Sequence, residues 1–136
     1  MSNRALFLDR DGTLIQEKHY LHRPEEVVLE DHVIEGLLAC QEKGYLLIIV
    51  TNQAGIGRGL FTEEDYHLAQ DHVEALFRDQ GVLFTATYFC PYHPTHGVGD
   101  YLLDSQDRKP NPGMLLKAIQ DHDIDPALSY MVGDKG

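Results

Sequence analysis

Residues 5–14 of the chain read Ala-Leu-Phe-Leu-Asp-Arg-Asp-Gly-Thr-Leu, four apolar residues followed by two aspartates that flank an arginine. A short apolar run that stops abruptly at polar residues is typical of a buried β-strand ending at the edge of a sheet. Gly12 permits a tight turn, which would bring the carboxylate of Asp11 back beside that of Asp9. The stretch therefore predicts a central strand followed by a loop that carries two neighbouring carboxylates.

Strand and helix patterns alternate along the rest of the chain. Three further strands are predicted over residues 45–50, 85–90 and 129–132, and helical periodicity is present over 31–43, 62–80 and from 111 onward. This alternation is typical of βαβ units around a parallel sheet. We expect an α/β fold, a Rossmann-like three-layer sandwich with a mainly parallel sheet. Residues 1–136 would form a single domain, with no insertion large enough for a separate cap domain.

Helix ends and faces can also be predicted from the sequence. Thr62 and Asp65 have the spacing of an N-terminal cap, and Asn111 followed by Pro112 has the order of a cap residue and a first helical residue. Gly44 stands where a glycine commonly ends a helix. The predicted apolar face of the middle helix consists of Leu68, Ala69, Val73, Leu76 and Phe77.

Polar residues follow three of the predicted strands. They are Asp9, Thr51 with its neighbours, and Asp134. Ligand sites in open α/β sheets lie outside the carboxyl ends of the strands, so these side chains are expected to converge although they are distant in sequence.

Two close carboxylates suit two chemical roles. One can remain ionised as a nucleophile, while the like charge favours a proton on the other, which then serves as general acid. Attack of a carboxylate on a phosphate requires cations that offset the repulsion, such as Mg²⁺ on oxygen ligands and a lysine. Asp134 is the candidate further metal ligand, Lys109 the phosphate cation and Thr51 a hydroxyl donor. Each also has an ordinary explanation, as a turn residue, a solvated lysine and a helix cap.

The overall charge restricts the class of partner. The chain of 136 residues has 11 Lys and Arg against 22 Asp and Glu, for a net charge of −11. Such a surface repels nucleic-acid backbones and anionic membranes, and therefore neither is an expected partner. We expect the basic side chains near the motifs to form a rim around the site; these are Arg10, Lys18, Arg58, Arg108, Lys109 and Lys135. Two cysteines and no long apolar run predict a cytoplasmic protein, with no particular oligomeric state indicated.

Four ordered motifs, residues 7–14, 51–59, 108–114 and 130–135, resemble those of haloacid-dehalogenase-like phosphatases. The resemblance runs nearly end to end and is strongest to the D-glycero-D-manno-heptose 1,7-bisphosphate 7-phosphatases and the related histidinol-phosphatases. It implies Mg²⁺-dependent phosphomonoester hydrolysis through an aspartyl-phosphate. The expected reaction removes the 7-phosphate of the heptose bisphosphate, a precursor of the lipopolysaccharide core, and hydrolysis of histidinol phosphate is the alternative.

The resemblance also implies roles for individual residues. Asp9 would be the nucleophile and Asp11 the general acid and base, with Thr51 and Lys109 on the transferring phosphoryl group. The Mg²⁺ ligands would be Asp9, the backbone carbonyl of Asp11, and Asp134. Positions that would contact the sugar phosphate are Glu17, Lys18, His19, Tyr20, Asn52, Gln53, Ala54, Arg108 and Lys135. The guanidinium fork of Arg108 suits a second, non-reacting phosphate.

The sequence departs from these relatives in the loop where they usually hold a structural zinc. Cys90 occupies the first ligand position, but Tyr92, Ser105 and Asp107 occupy the other three, and His93 is one residue late. One thiolate, a displaced imidazole and one carboxylate make a poor tetrahedral zinc site. We expect no zinc and a loop that rests instead on packing of Tyr92, Tyr101, Leu102 and Leu103.

The last residue is Gly136, just after the fourth motif, whereas the relatives continue. We expect either a truncated domain or a part of a longer chain. Two other functions remain open. A degenerate phosphate-binding domain would keep the fold without turnover. A phosphorylatable receiver domain would require an aspartate at the end of the third strand, where this chain has Cys90 and Pro91.

Overall fold

Parallel strands form the centre of the molecule. The computed structural model describes residues 2–18, 20–109 and 111–133, except for the side chain of Asp31. Within these residues, β1 (Ala5–Leu8), β2 (Leu46–Asn52), β3 (Ala86–Cys90) and β4 (Tyr130–Val132) form one sheet in the order β3-β2-β1-β4. Every pairing is parallel, and Leu8 lies beside Ile49 on one side and Val132 on the other.

Helices connect the strands. The α-helices are α1 (Ile34–Glu42), α2 (Ala54–Gly57), α3 (Glu63–Asp79) and α4 (Gly113–His122). Short 3₁₀ turns cover Pro24–Glu26, Asp31–Val33, Gly99–Tyr101 and Pro126–Leu128. The chain runs outward from β1 through β2 to β3 and then returns across the sheet to β4. The order of strands therefore reverses beside β1, which is where ligands bind in open α/β sheets.

The two faces of the sheet are each covered by helices. Alternate residues of a strand point to opposite faces. Leu6, Leu8, Leu47 and Ile49 pack with residues of α1 and α3. Ala5, Phe7, Ile48 and Val50 pack instead with Met114 and Ala118 of α4. These two cores confirm the predicted Rossmann-like, three-layer α/β arrangement with a parallel sheet.

The predicted helix ends agree with the structure in two of three places. The backbone N–H of Asp65 donates to the Thr62 hydroxyl at 3.0 Å, and the N–H of Thr62 donates to the Asp65 carboxylate at 3.0 Å. The second of these bonds holds the pKa of Asp65 below its usual range. Gly44 follows α1 with a φ of +88°, as expected of a terminating glycine.

The predicted start of α4 was wrong by one residue. Pro112 is the residue before the helix, with φ −90° and ψ 9°, rather than its first helical residue. The N–H of Gly113 donates to the carbonyl of Gln106 at 2.7 Å, so the backbone at this position is hydrogen-bonded to the preceding loop. The helix therefore begins at Gly113.

The predicted face of α3 was partly wrong. Leu68 is 56% exposed, whereas Tyr66 and Gln70 are buried beside Ala69 and Val73. Residues 66, 70, 73 and 77 follow the helical repeat, which leaves position 68 on the opposite side. A polar residue, Gln70, therefore lies on the inner face of this helix.

Helix α2 was not predicted. Its glycines allow close contact with neighbouring elements, because a Cβ on Gly55 would lie 2.2 Å from the Phe61 ring and one on Gly57 would lie 2.2 Å from the carbonyl oxygen of Pro91. Such tight packing is decided by distant residues, which local periodicity does not report.

Candidate active site

A cleft of about 720 Å³ opens at the carboxyl ends of β1 and β2. Every predicted site residue that the structure describes lines it, namely Asp9, Asp11, Glu17, Lys18, Tyr20, Thr51, Asn52, Gln53, Ala54, Arg108 and Lys109. His19, Asp134 and Lys135 lie outside the described residues. Leu21, Phe61, Asn111, Leu115 and Met131 also line the cleft and were not predicted.

The ammonium of Lys109 and the carboxylate of Asp9 form an ion pair at the base of the cleft. The Lys109 Nζ also donates to the backbone carbonyl of Val50 at 3.0 Å. The N–H of Asp9 donates to the carbonyl of Val132 at 3.0 Å, which continues the β1–β4 ladder by one residue. The Asp9 backbone is therefore held by the sheet, and its charge is balanced by Lys109.

The backbone at Gly133 lies directly against the carboxylate of Asp9. A Cβ at this position would lie 2.4 Å from Asp9 Oδ2. The residue after Gly133 is Asp134, whose own placement lies outside the described residues. Hard oxygen donors such as these carboxylates are the ligands that Mg²⁺ prefers, so the donor chemistry at the end of β1 fits that ion.

The carboxylate of Asp11 is held from two sides. Arg10 Nη2 donates to both of its oxygens at 3.2 Å, and Gln53 Nε2 lies 3.4 Å from Oδ2. Arg10 is only 1% exposed, so the expectation that its side chain belongs to a basic rim was wrong. The guanidinium lies inside the protein, where it is hydrogen-bonded to Asp11 and to Gln70 of α3.

Thr51 and Asn52 end β2 inside the cleft. The buried Thr51 hydroxyl oxygen accepts a hydrogen bond from Gln53 Nε2 at 2.9 Å. The Asn52 side chain accepts from the N–H of Lys109 at 3.0 Å and donates to the Lys109 carbonyl at 3.2 Å. Asn52 therefore holds the backbone of Lys109 in place. The resemblance implied only a contact with substrate for Asn52 and did not include this structural role.

Tyr20 and Arg108 line the cleft, and Arg58 contacts Tyr20. Tyr20 has a φ of +51°, and its hydroxyl accepts a hydrogen bond from Arg58 Nη1. The Arg58 guanidinium also lies 5.4 Å from the centroid of the Tyr20 ring. Arg108 lines the cleft and donates from Nη1 to the carbonyl of Tyr92 at 3.3 Å. This hydrogen bond tethers the Arg108 guanidinium to the backbone of the loop after β3.

The loop after β3 is held by direct hydrogen bonds. His93 and Leu102 form an isolated bridge, with His93 N donating to the Tyr101 carbonyl at 3.1 Å and Leu103 N to the His93 carbonyl at 3.2 Å. The rings of Tyr92 and Tyr101 are 6.1 Å apart. Leu102 and Leu103 are exposed, so their predicted part in packing the loop was wrong. The bridge directs these two side chains outward.

Cys90 lies at the end of β3 with no exposed surface. Burial raises the pKa of its thiol. Within residues 2–18, 20–109 and 111–133, no three His, Cys, Asp or Glu side chains are grouped so that they could hold a metal ion.

Among the helices of residues 2–18, 20–109 and 111–133, none is both long and apolar enough to cross a bilayer.

Comparisons with known proteins assign the chain to a family. The family model described as "Polynucleotide kinase 3 phosphatase" matches residues 4–136. The chain belongs to this family. The match confirms the predicted relationship to haloacid-dehalogenase-like phosphatases, and it includes all four motifs.

Curated relatives in the family are named heptose bisphosphate phosphatases. D-glycero-alpha-D-manno-heptose-1,7-bisphosphate 7-phosphatase of Burkholderia mallei is 47% identical over 135 residues, which cover 99% of this chain and 71% of the relative. The D-glycero-beta-D-manno-heptose-1,7-bisphosphate 7-phosphatase of Pasteurella multocida is 46% identical over 132 residues, covering 97% and 71%.

Solved structures of the family share the fold. A HAD-like phosphatase structure from Mesorhizobium loti has a TM-score of 0.95 at 38% identity, and the match covers 98% of this chain and 64% of that one. The D,D-heptose 1,7-bisphosphate phosphatase of B. bronchiseptica, solved with magnesium and phosphate, has a TM-score of 0.81 at 27% identity and coverages of 96% and 70%. The chain thus spans about two-thirds of the length of these structures.

Besides the unpredicted residues that line the cleft, sequence reasoning missed two residues that support the site. Gln70 contacts Arg10 from the inner face of α3, and Gly133 leaves room for the Asp9 carboxylate. The sequence did indicate that Gln70 is unusual, because it is a polar residue at a position of the helical repeat where apolar residues are expected. Gly133 lies within the fourth motif, but its contact with the Asp9 carboxylate depends on the pairing of β4 with β1, which spacing along the chain does not report.

Proposed function

We propose that this domain, over residues 1–136, hydrolyses a phosphomonoester through an aspartyl-phosphate on Asp9. The observation that carries the proposal is the Asp9–Lys109 ion pair beside Asp11 in one cleft. A carboxylate nucleophile, a second carboxylate and a cation within the same site match the requirements of phosphoryl transfer. The phosphatase names of relatives at 46% and 47% identity support the same reaction.

The proposed steps use the chain's own residues. An oxygen of Asp9 attacks phosphorus as Asp11 gives its proton to the departing alkoxide, and the phosphoryl group is then bonded to Asp9. A water molecule attacks that phosphorus in the second step, and Asp11 takes the proton of the water. Phosphate leaves, Asp9 is restored and Asp11 is protonated again. Lys109 and Thr51 would stabilise the negative charge on the transferring oxygens.

The proposed metal ligands are the Asp9 carboxylate, the carbonyl of Asp11, and Asp134. Their oxygen donors fit Mg²⁺, and a structural relative was solved with magnesium and phosphate. When bound, the ion would supply positive charge that offsets repulsion between the phosphate and the Asp9 carboxylate.

The proposed substrate is D-glycero-D-manno-heptose 1,7-bisphosphate, with hydrolysis at the 7-phosphate. Arg108 is suited to the second phosphate, and Lys18 lines the same cleft. The further proposed contacts are Glu17, His19, Tyr20, Asn52, Gln53, Ala54 and Lys135. The relatives at 47% and 46% identity are named for the alpha and the beta anomer respectively, so both anomers are candidates.

Three other substrates or roles serve as comparisons. Histidinol phosphate carries an ammonium where the bisphosphate has an anion, and the positive charge of Arg108 would disfavour binding of that ammonium. Polynucleotide 3′-phosphates are suggested by the family description, but the net charge of −11 opposes a nucleic-acid partner. A binding domain without turnover would bind phosphate esters and leave them intact.

We also propose that the loop after β3 folds without zinc and that the protein acts in the cytoplasm. The residue types at the other ligand positions, which are Tyr92, Ser105 and Asp107, and the direct hydrogen bonds of the loop support the first point. Cys40 and Cys90 are both free, which is consistent with a reducing compartment.

Phosphate release with Mg²⁺ tests the proposal. Wild-type protein should hydrolyse the heptose bisphosphate faster than histidinol phosphate or a 3′-phosphorylated oligonucleotide. Asp9→Asn should lower the rate at least about 1,000-fold because it removes the nucleophile. Asp104→Asn, which changes an exposed carboxylate, should leave the rate unchanged. Binding of the bisphosphate by wild type without any turnover would contradict the proposed function.

A further inference from the structure

The buried guanidinium of Arg10 takes no part in the steps proposed above. It is 1% exposed, and its Nη2 donates to both Asp11 oxygens at 3.2 Å while Nη1 donates to Gln70 Oε1 at 3.3 Å. The ring of Tyr66 lies 5.7 Å from its central carbon. A buried charge is costly unless it is paired and hydrogen-bonded, and the acceptors available to this guanidinium are the two Asp11 oxygens and Gln70 Oε1.

A second layer of hydrogen bonds holds Gln70. Its Nε2 donates to Glu74 Oε2 at 3.1 Å and lies 3.5 Å from the Thr87 hydroxyl, which donates to the same Glu74 oxygen at 3.3 Å. The amide nitrogen of Gln70 thus faces Glu74, and its oxygen faces Arg10. A connected set of contacts runs from α3 and β3 through Arg10 to the carboxylate in the cleft.

We propose that Arg10, oriented by Gln70, is a positioning residue that holds the Asp11 carboxylate toward the substrate. The inference rests on the proposed function, in which Asp11 exchanges a proton with the leaving oxygen. Gln53 is a second donor to the same side chain, with its Nε2 3.4 Å from Oδ2. With donors from two residues, rotation of the Asp11 side chain is restricted before substrate arrives.

This role has a consequence that depends on the leaving group. A positioned general acid contributes about 100- to 10,000-fold when it must protonate a poor leaving group within hydrogen-bond reach. An alkoxide leaving a sugar phosphate needs that proton, whereas a nitrophenolate leaving an aryl phosphate does not. Loss of the orienting contacts should therefore slow hydrolysis of the sugar phosphate more than hydrolysis of the aryl phosphate. A general loss of folding would slow both substrates alike.

The test compares kcat/KM, which covers the steps up to departure of the first product, for a sugar phosphate and for p-nitrophenyl phosphate with Mg²⁺. Arg10→Met removes the fork but keeps an unbranched apolar stem, and Gln70→Met removes the amide at similar length. Gln80→Met changes an exposed glutamine just after α3 and serves as the control. Thermal unfolding of each variant measures stability separately.

For Arg10→Met we expect kcat/KM to fall about 100-fold on the sugar phosphate and less than about threefold on the aryl phosphate. Gln70→Met should show the same selectivity with a loss of about fivefold, and this variant decides the question if Arg10→Met does not fold. Arg10→Lys should recover part of the loss. Equal losses on both substrates, or no loss on either, would overturn the inference in an active wild type. A wild type inactive on both would instead refute the proposed function.

Discussion

Lys109 joins the ends of two strands by pairing with Asp9 after β1 and donating at 3.0 Å to the carbonyl of Val50 in β2. The backbone of Lys109 is fixed in turn by both polar atoms of the Asn52 amide. An ammonium placed in this way balances the charge of Asp9, the proposed nucleophile, before substrate binds. It also stands where negative charge would develop on a phosphoryl group attacked by Asp9.

Lys109→Met should therefore lower kcat about 100-fold, because it removes a cation from the transferring oxygens. Steady-state hydrolysis of the heptose bisphosphate measures the effect. Lys117→Met is the matched control, since Lys117 forms an exposed pair with Asp107, and such pairs contribute little to stability. A Lys109→Met enzyme with normal kcat would contradict the assigned role.

Gly133→Ala should impair catalysis although it adds a single methyl group. Its Cβ would lie 2.4 Å from Asp9 Oδ2, so the carboxylate must move. A displacement of about 1 Å at a reacting group can cost about 100-fold in rate. Gly36→Ala is the control, because nothing lies within 4 Å of a Cβ there.

The two glycine variants should differ in stability as well. Gly36 lies in α1, where alanine is expected to raise the free energy of unfolding by roughly 0.5–1 kcal/mol. Activity assays and denaturant unfolding together check the pair. Unchanged turnover in Gly133→Ala would show that the Asp9 carboxylate tolerates a methyl group at this distance.

Arg108→Met should distinguish substrates by their second phosphate. Loss of the guanidinium is expected to raise KM at least about tenfold for the bisphosphate and much less for a heptose 7-phosphate that lacks the second group. The comparison needs both compounds in the same assay, with the exposed Arg78→Met as control. An equal increase in KM for both compounds would argue against binding of the distal phosphate by Arg108.

The loop after β3 should fold without zinc. Metal analysis of purified protein is expected to find no stoichiometric zinc, and a zinc chelator should leave the melting temperature unchanged. Burial raises the pKa of the Cys90 thiol, so at neutral pH it stays protonated and a maleimide should modify Cys40 well before Cys90. One tightly held zinc per chain would refute this expectation.

Much of the fold could be predicted because burial and strand ends leave local patterns. The apolar run before Asp9, the cap formed by Thr62 and Asp65, and Gly44 after α1 all matched the structure. Helix α2 escaped prediction because its glycines are required by packing against Phe61 and Pro91 rather than by any periodicity.

The site was predictable to the extent that strand ends converge. Asp9, Thr51 and Lys109 lie together in the cleft as their positions in the motifs suggested. The burial of the Arg10 side chain was not predictable, because a charged residue in a loop is normally expected to lie on the surface. Inside the protein it is hydrogen-bonded to Gln70, a residue far along the chain whose position no local pattern reports.

By itself, the sequence determined the alternating α/β pattern, the residue types at the ends of the strands and the net charge of −11. These depend on composition and on spacing along the chain. Only the tertiary structure decided that Arg10 is buried behind Asp11, that Asn52 holds Lys109 and that Gly133 borders Asp9. Each of these relationships is a contact between elements distant in sequence, and its geometry exists only after the sheet has assembled and the helices have packed on it.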